Sequence, residues 1–445
     1  MAADLLSIAR SGANVAKLAL DVTSNNIANA SSPSYIRRSV QVSEVVANSS
    51  TSAPTAVNLA GAQVTGVIRN ADAFRQSEVR RTGADAARAD AEVQGLENVE
   101  AAVEQTGVYD SVVNFEAGLQ KLVADPTDGS LRASVIEQGR TMAQTFNTAA
   151  SSLDAAGTGL RFDAQDGVDN VNRITGELAR VNLRLSRASD ASSDQTALLD
   201  QRDQLLQDLS GYAGISTSFD ASGVVTVTLG GSGGPSLVTG GTSGTLAMTT
   251  AADGTISFTL DGTAATVSSG SIAGKSLALT QLASTRGKLD AVAASIINVV
   301  NSAQANGVDL NGNTGTPLFS GTGAADIAMI ATGGSAIAAA ATGSGANSRD
   351  ASNLSAMRNA FSSADPAGAT DAMLFDVSSA VAGRTVTRDA LEAIASSAKV
   401  ALQAQAGVDM DQEAVNLVRY QQAFQANGRV MQVASDIFNS ILSIK

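Results

Sequence analysis

Apolar residues recur at heptad spacing in two long helical patterns, one at each end of the chain. Both stripes advance in steps of three and four residues, the spacing of an a/d seam. The N-terminal stripe comprises Leu5, Ile8, Gly12, Val15, Ala19 and Val22. The C-terminal stripe comprises Leu417, Tyr420, Phe424, Asn427, Met431, Ala434, Phe438 and Ile441. An apolar stripe needs a partner, so the two helices are expected to pair with each other and with copies of themselves.

Composition narrows the classes of function. The 445 residues include no Cys and no His, which excludes disulfides, thiol chemistry and a Ser/His triad. Trp is absent and aromatic residues make up 3% of the chain, so the core is aliphatic and small. The net charge of −13 argues against nucleic acid as a partner. We predict no enzyme activity, no cofactor and no metal.

Targeting signals of the usual kinds are not expected. A membrane-spanning helix needs about 20 mainly apolar residues, and no such run is present, so no membrane insertion is predicted. Asp4, Arg10 and Lys17 interrupt any apolar segment of a cleaved N-terminal leader.

The pattern along the chain predicts a mainly α fold with an inserted all-β domain, in an elongated, nested multidomain protein. The terminal helices pair in a coiled-coil-like inner domain. Residues 211–280 hold few charges and many Thr, Ser, Gly and Val, which is typical of short strands. The predicted domains are a terminal helical domain (1–45 and 405–445), a helical bundle (46–210 and 281–404) with a β-hairpin at about 35–69, and a β domain (211–280), with 305–350 as a candidate addition. Within the bundle, Ala156-Gly157 predicts a break between helices at 129–155 and 168–188.

Two polar clusters could be mistaken for functional sites. Asp200, Arg202 and Asp203 are interpreted as a structural ion pair on a packed helix rather than an acid/base pair. Asp309, Asn311 and Asn313 have the spacing that opens a calcium loop, but Gly312 is misplaced and no Glu follows at the required distance.

Several segments resemble the bacterial flagellar axial proteins. Ser24–Tyr35 reads SNNIANASSPSY and is similar to the S-N-N-[IL]-A-N-x-x-[ST]-P-G-Y signature of rod, hook and junction proteins, with Ser34 where Gly is usual. Four further segments resemble the hook-associated protein 1 family of hook–filament junction proteins. They are 112–126 (VVNFEAGLQKLVADP), 198–206 (LLDQRDQLL), 307–319 (GVDLNGNTGTPLF) and 413–427 (EAVNLVRYQQAFQAN).

The resemblance implies a structural subunit that joins hook to filament, self-assembles through its terminal helices and leaves the cell by flagellar type III export. Implied partners are copies of itself, hook protein, the filament-side junction protein and an export chaperone at the C-terminal helix. The expected location is the extracellular flagellum. Alternatives are another flagellar axial protein, namely hook protein or the filament-side junction protein, and a secreted carboxylate-based hydrolase. The candidate subunit-interface residues are Leu5, Ile8, Val15, Leu18, Val22, Asn25, Asn26, Asn29, Pro33, Tyr35, Leu417, Tyr420, Phe424, Met431, Phe438 and Ile441.

Overall fold

A computed structural model describes residues 2–32, 35–47, 58–189 and 192–443. It is 65% helical with small antiparallel sheets, which confirms the predicted mainly α fold with a β insertion. The helices are α1 (Ala2–Ala28), α2 (Ala73–Glu104), α3 (Val108–Ala124), α4 (Gly129–Leu185), α5 (Ser193–Tyr212), α6 (Ser271–Ala305), α7 (Ser352–Ala364), α8 (Pro366–Ala406) and α9 (Met410–Ser443). Among these residues, no helix combines the length and the apolar character needed to cross a bilayer.

The strands form several small sheets. They are β1 (Arg38–Ala47), β2 (Asn58–Arg69), β3 (Ile215–Phe219), β4 (Val225–Leu229), β5 (Ser236–Thr239), β6 (Thr242–Ser243), β7 (Leu246–Thr250), β8 (Ile256–Leu260), β9 (Thr263–Ala265), β10 (Gly307–Val308), β11 (Phe319–Ser320), β12 (Ala328–Met329) and β13 (Ala340–Ala341). The sheet orders are β1-β2, β3-β4-β5-β6, β7-β8-β9, β10-β13 and β11-β12.

Helix α4 runs unbroken for 57 residues, so the predicted break at Ala156-Gly157 was wrong. A glycine inside a helix costs about 1 kcal/mol relative to alanine. Apolar residues continue on one side of α4 across this point, and Leu153, Leu160 and Val168 are all buried. Burying such side chains is worth about 1.5–3 kcal/mol each, which outweighs the glycine penalty.

The chain divides into two compact units. Unit 1 comprises 1–85, 170–246 and 392–445, and contains the terminal helices, the β1–β2 hairpin, α5 and β3–β6. The hairpin is antiparallel with two register shifts and packs on α1. Gly61 lies where they meet, with φ +102, and a Cβ there would be 2.1 Å from Ser11 Oγ. The close approach of strand and helix therefore requires glycine at this position.

Unit 2 comprises 86–169 and 247–391. Its core includes Phe115, whose ring meets Phe319 and Phe361 edge-on with centroids 5.7 Å away in each case. The fully buried Arg132 donates hydrogen bonds to the carbonyl oxygens of Pro126, Gly334 and Ile337. These bonds hold the irregular segment around 334–337 against α4.

The two units cut across the predicted domains. The β-rich stretch 211–280 is divided, with β3–β6 in unit 1 and β7–β9 in unit 2. Residues 305–350 form two short sheets of their own rather than joining the β3–β9 strands. Side chains of α4 satisfy strand ends: the Asn182 amide donates to Val225 O and accepts from Val225 N, at 2.8 and 3.0 Å. Because a helix side chain makes these hydrogen bonds at the strand end, the strands need not form one continuous sheet.

Candidate assembly site on the paired terminal helices

Helices α1 and α9 pack antiparallel within unit 1, which confirms the predicted pairing of the terminal helices. Gly12 lies against Asn427, and a Cβ at Gly12 would be 2.7 Å from Asn427 Oδ1. The buried side of α1 consists mostly of small residues: Ala9, Ala13, Ala16, Ala19, Val22, Thr23 and Asn26. Small side chains let the two backbones approach closely.

Asn26 ties the end of α1 to two other segments. Its Oδ1 accepts hydrogen bonds from Tyr35 Oη (2.9 Å) and Arg38 N (3.0 Å). Its Nδ2 donates to Arg38 O (2.9 Å) and Glu413 Oε2 (3.2 Å). The amide uses both of its polar ends and is 1% exposed. Asn26, the second asparagine of the SNN segment, therefore holds the end of α1, the start of the hairpin and the start of α9 in contact.

Glu413 is also 1% exposed and receives a second charged partner. Arg37 Nε donates to Glu413 Oε1 at 2.6 Å. The backbone N–H of Arg37 donates in turn to Ala406 O, at the end of α8. A buried carboxylate needs such partners, because burial without them costs several kcal/mol.

Two carboxylates of α5 contact the open end of the hairpin, where β1 begins and β2 ends. Asp200 Oδ2 accepts from Arg38 Nη2 at 2.5 Å, and Asp203 Oδ2 accepts from Arg69 Nη2 at 2.8 Å. Arg69 Nη2 also lies 2.8 Å from Asp200 Oδ1, within range for charge attraction. Arg202 Nη2 donates to Asp203 Oδ1 at 2.6 Å. The interpretation of 200–203 as structural ion pairs is confirmed, and the cluster links α5 to both hairpin strands.

Burial and neighbouring charges shift the pKa values of Asp203 and Arg202 in opposite directions. Burial alone raises the pKa of the Asp203 carboxyl, but Arg202 and Arg69 outweigh it and hold that pKa below its usual range. Burial lowers the pKa of the Arg202 guanidinium, while Asp203 opposes that shift. The Arg202 guanidinium also lies over the Phe219 ring, 4.4 Å from its centroid. The two neighbouring arginines therefore favour the ionised form of the Asp203 carboxyl at neutral pH.

The predicted interface residues fall into three groups. Val22 and Asn26 are buried inside the chain. Val15, Leu18, Asn29, Tyr35, Leu417, Tyr420 and Met431 are half-buried. Leu5 (43%), Ile8 (36%), Phe424 (44%) and Phe438 (54%) are exposed, as is Asn25. Pro33 and the side chain of Ile441 lie outside the described residues. The seam is thus shared between the α1–α9 pairing and a surface that stays open.

A second apolar face of α9 points away from the buried Glu413 and Ala434. We call it the α9 outer face. Its residues step by three, four or eight: Val415, Val418, Ala426, Val430, Val433 and Ile437. The large members are 41–68% exposed. An exposed apolar face of this length marks an interaction site.

Sequence reasoning found only part of this arrangement. Heptad spacing identified the seam of α9 but did not indicate Val415, Val418 or Val433. It also missed the burial of Glu413. Helical periodicity, followed one turn further round α9, would have revealed the three valines. The burial of a single carboxylate leaves no periodic signal.

We call the hydrogen bonds and ion pairs around Asn26, Glu413, Asp200 and Asp203 the polar hub. The polar hub and the α1–α9 pair lie in segments shared with known proteins. The model for the flagella basal body rod protein matches residues 6–35, and the model for the flagellar basal body rod FlgEFG protein C-terminal matches residues 403–444. The model for the flagellar hook-associated protein FlgK helical domain matches residues 93–319, just over half of the chain. The chain belongs to the flagellar hook-associated protein FlgK family.

Curated relatives agree with this assignment. Flagellar hook-associated protein 1 of Escherichia coli K12 is 26% identical over 334 residues, covering 71% of this chain and 60% of that protein. The protein of the same name from Bacillus subtilis 168 is 28% identical, covering 49% and 44%. The Salmonella typhimurium protein is 27% identical, covering 51% and 41%. The chain therefore spans about half the length of the curated relatives that it matches.

A solved structure is also similar. The flagellar hook junction protein FlgK from Burkholderia pseudomallei aligns with a TM-score of 0.50 and 25% identity, covering 55% of this chain and 46% of that one. The recognition from sequence motifs as a hook-associated protein 1 relative is confirmed.

Proposed function

We propose that this FlgK-family chain is a non-enzymatic structural subunit of the bacterial flagellum that joins the hook to the filament. The proposal rests on the family assignment and on one observation above all. The α9 outer face leaves large apolar side chains such as Val415 (68%) and Val433 (56%) open to solvent. Copies of the chain that pack through this face remove it from water, and this provides the driving force for assembly.

The polar hub supports the same role. Buried or half-buried hydrogen bonds and ion pairs join α1, the hairpin, α5 and α9 within unit 1. Such bonds fix the direction in which the outer face is presented. A subunit of a regular tube needs that fixed direction, because every copy must offer the same surface to its neighbours.

The proposed partners follow from this role. They are further copies of the chain, hook protein on one side and the filament-side junction protein on the other. An export chaperone would cover the apolar C-terminal helix before secretion. The proposed location is outside the cell, reached through the flagellar type III export channel.

The test uses purified full-length chain added to isolated hooks that lack junction proteins, followed by electron microscopy. We expect a short layer that caps the hook end and then allows the filament-side junction protein and filament to add. If the chain builds long hook-like tubes instead, it is a different axial protein. If it fails to bind hooks while remaining folded, the proposed function is wrong.

A further inference from the structure

The net charge of the chain is divided very unequally between the units. Unit 1 holds 17 Lys and Arg against 18 Asp and Glu, a net charge of −1. Unit 2 holds 12 against 24, a net charge of −12. Unit 2 surfaces of neighbouring copies therefore repel each other, whereas a cationic patch on unit 1 would attract them.

Such a patch lies at the C-terminal end of α4, in unit 1. Arg180 and Arg184 lie one turn apart on one face of α4, and Arg187 follows in the turn after the helix ends at Leu185. All three side chains are exposed. Arg173 lies two turns before Arg180, and its Nη1 is 3.0 Å from Glu177 Oε1 in an ion pair. Within the described residues, the other three arginines form no ion pair. Leu183, which is 45% exposed, lies beside them.

An anionic counterpart lies on the unit 2 part of α2. Glu97, Glu100 and Glu104 are spaced by three and four residues on one helix face. Glu97 and Glu104 are exposed and Glu100 is half-buried. In the described part of the chain these glutamates take part in no ion pair. Ala101 lies between them.

The two rows match when the helices run antiparallel. Arg180 then faces Glu104 and Arg184 faces Glu100, while Arg187 lies past the end of α4 on the side towards Glu97. In the antiparallel register the exposed Leu183 also falls opposite Ala101. Adjacent apolar contact is what such a charge pair needs to exclude water.

We propose that the arginine patch at the C-terminal end of α4 in one copy binds the glutamate row on α2 of another copy. The contact is between different surfaces, so it is heterologous and repeats from copy to copy, as a ring or helical layer requires. It deepens the proposed function, on which it rests, by naming a second contact besides the α9 outer face. It also gives a reason for the unequal charge of the units.

A charge swap tests the contact directly. Self-association of the full chain is measured by sedimentation at low salt, about 20 mM, where exposed charge pairs act most strongly. We expect Arg184→Glu and Glu100→Arg each to weaken association by about tenfold. The double variant Arg184→Glu/Glu100→Arg restores it. Lys121→Glu, which reverses another exposed cation, serves as the matched control. If both single variants associate like the unmodified chain, or the double variant is no better than either, the inference is wrong.

Cross-linking gives a readout independent of hooks. The chain has no cysteine, so Arg184→Cys and Glu100→Cys variants can be mixed and oxidised without competing thiols. We expect a mixed disulfide-linked dimer in clear excess over the yield when Lys121→Cys replaces either one. Equal yields contradict the contact. Hook capping without charge coupling would refute this inference alone, whereas charge coupling without hook capping would refute only the proposed function.

Discussion

Asp203→Asn removes the central charge of the unit 1 hub while keeping the shape of the side chain. In the native chain, Asp203 Oδ1 accepts from Arg202 Nε and Nη2 at 2.9 and 2.6 Å. Its Oδ2 accepts from Arg69 Nη2 at 2.8 Å and from Gln76 Nε2 at 3.0 Å. The side chains of Arg69 and Arg202 are only 5% and 8% exposed, so water cannot replace the lost carboxylate.

The expected cost follows from which charges lose their partner. Arg202 would keep Gly223 O and the Phe219 ring but no carboxylate. Arg69 would keep its attraction to Asp200. Breaking a buried pair by removing one partner costs about 3–5 kcal/mol. Because Asp200 still neutralises Arg69, we expect the lower end, about 3 kcal/mol of the unfolding free energy of unit 1.

The assay is urea unfolding of the full chain followed by circular dichroism, with amide hydrogen exchange in α5 to assign the loss to unit 1. Asp208→Asn is the matched control, since Asp208 is exposed on the same helix and accepts one bond from Gln204. It should cost about 0.5 kcal/mol or less. Adding Arg202→Met to Asp203→Asn should recover part of the loss. If Asp203→Asn and Asp208→Asn have equal effects, the hub contributes no stability and the reasoning fails.

Three further predictions concern unit 1. The pKa of the Asp203 carboxyl lies below its unfolded value of about 3.9, so the stability it contributes is present above pH 4 and is lost as pH falls through the folded pKa. The urea midpoint measured by amide hydrogen exchange in α5 should therefore drop in acid, and it should drop less in Asp203→Asn. Asn26→Ala should cost about 2–3 kcal/mol in the protection of α1 from hydrogen exchange, whereas the exposed Asn25→Ala should cost under about 0.5 kcal/mol. Gly61→Ala should lower the melting temperature by several degrees, because its Cβ would collide with Ser11 Oγ and φ is +102; an unchanged melt would contradict the close packing of hairpin and α1.

The helical part of the fold could be predicted because its signal is local. The heptad stripes predicted both terminal helices and their pairing. The β-rich stretch could be recognised but not divided, because the hydrogen bond from Asn182 to Val225 joins a helix to a strand 43 positions away. The unbroken α4 was missed because a glycine looks like a break unless the buried face that outweighs it is known.

The candidate site was predictable in the same uneven way. Apolar periodicity found the seam residues, but it could not say which of them are used inside the chain. Val22 and Asn26 are buried against the chain itself, while Phe424 and Phe438 stay open. The distinction depends on where α1 ends relative to α9. That offset is set by specific contacts such as Asn26 with Glu413 rather than by either stripe alone.

The central claim is that the α9 outer face holds subunits together, and hook capping by a surface variant tests it most directly. Val418→Ser/Val433→Ser changes two side chains that are 51% and 56% exposed, with little change in helix propensity. Phe162→Ala, at 74% exposure in unit 2, is the control. We predict that the double variant caps about tenfold fewer isolated hooks, as loss of a buried apolar contact requires, while its melting temperature stays within about 2 °C. Capping equal to that of the unmodified chain, or a loss of capping that merely follows a lower melting temperature, would contradict the account.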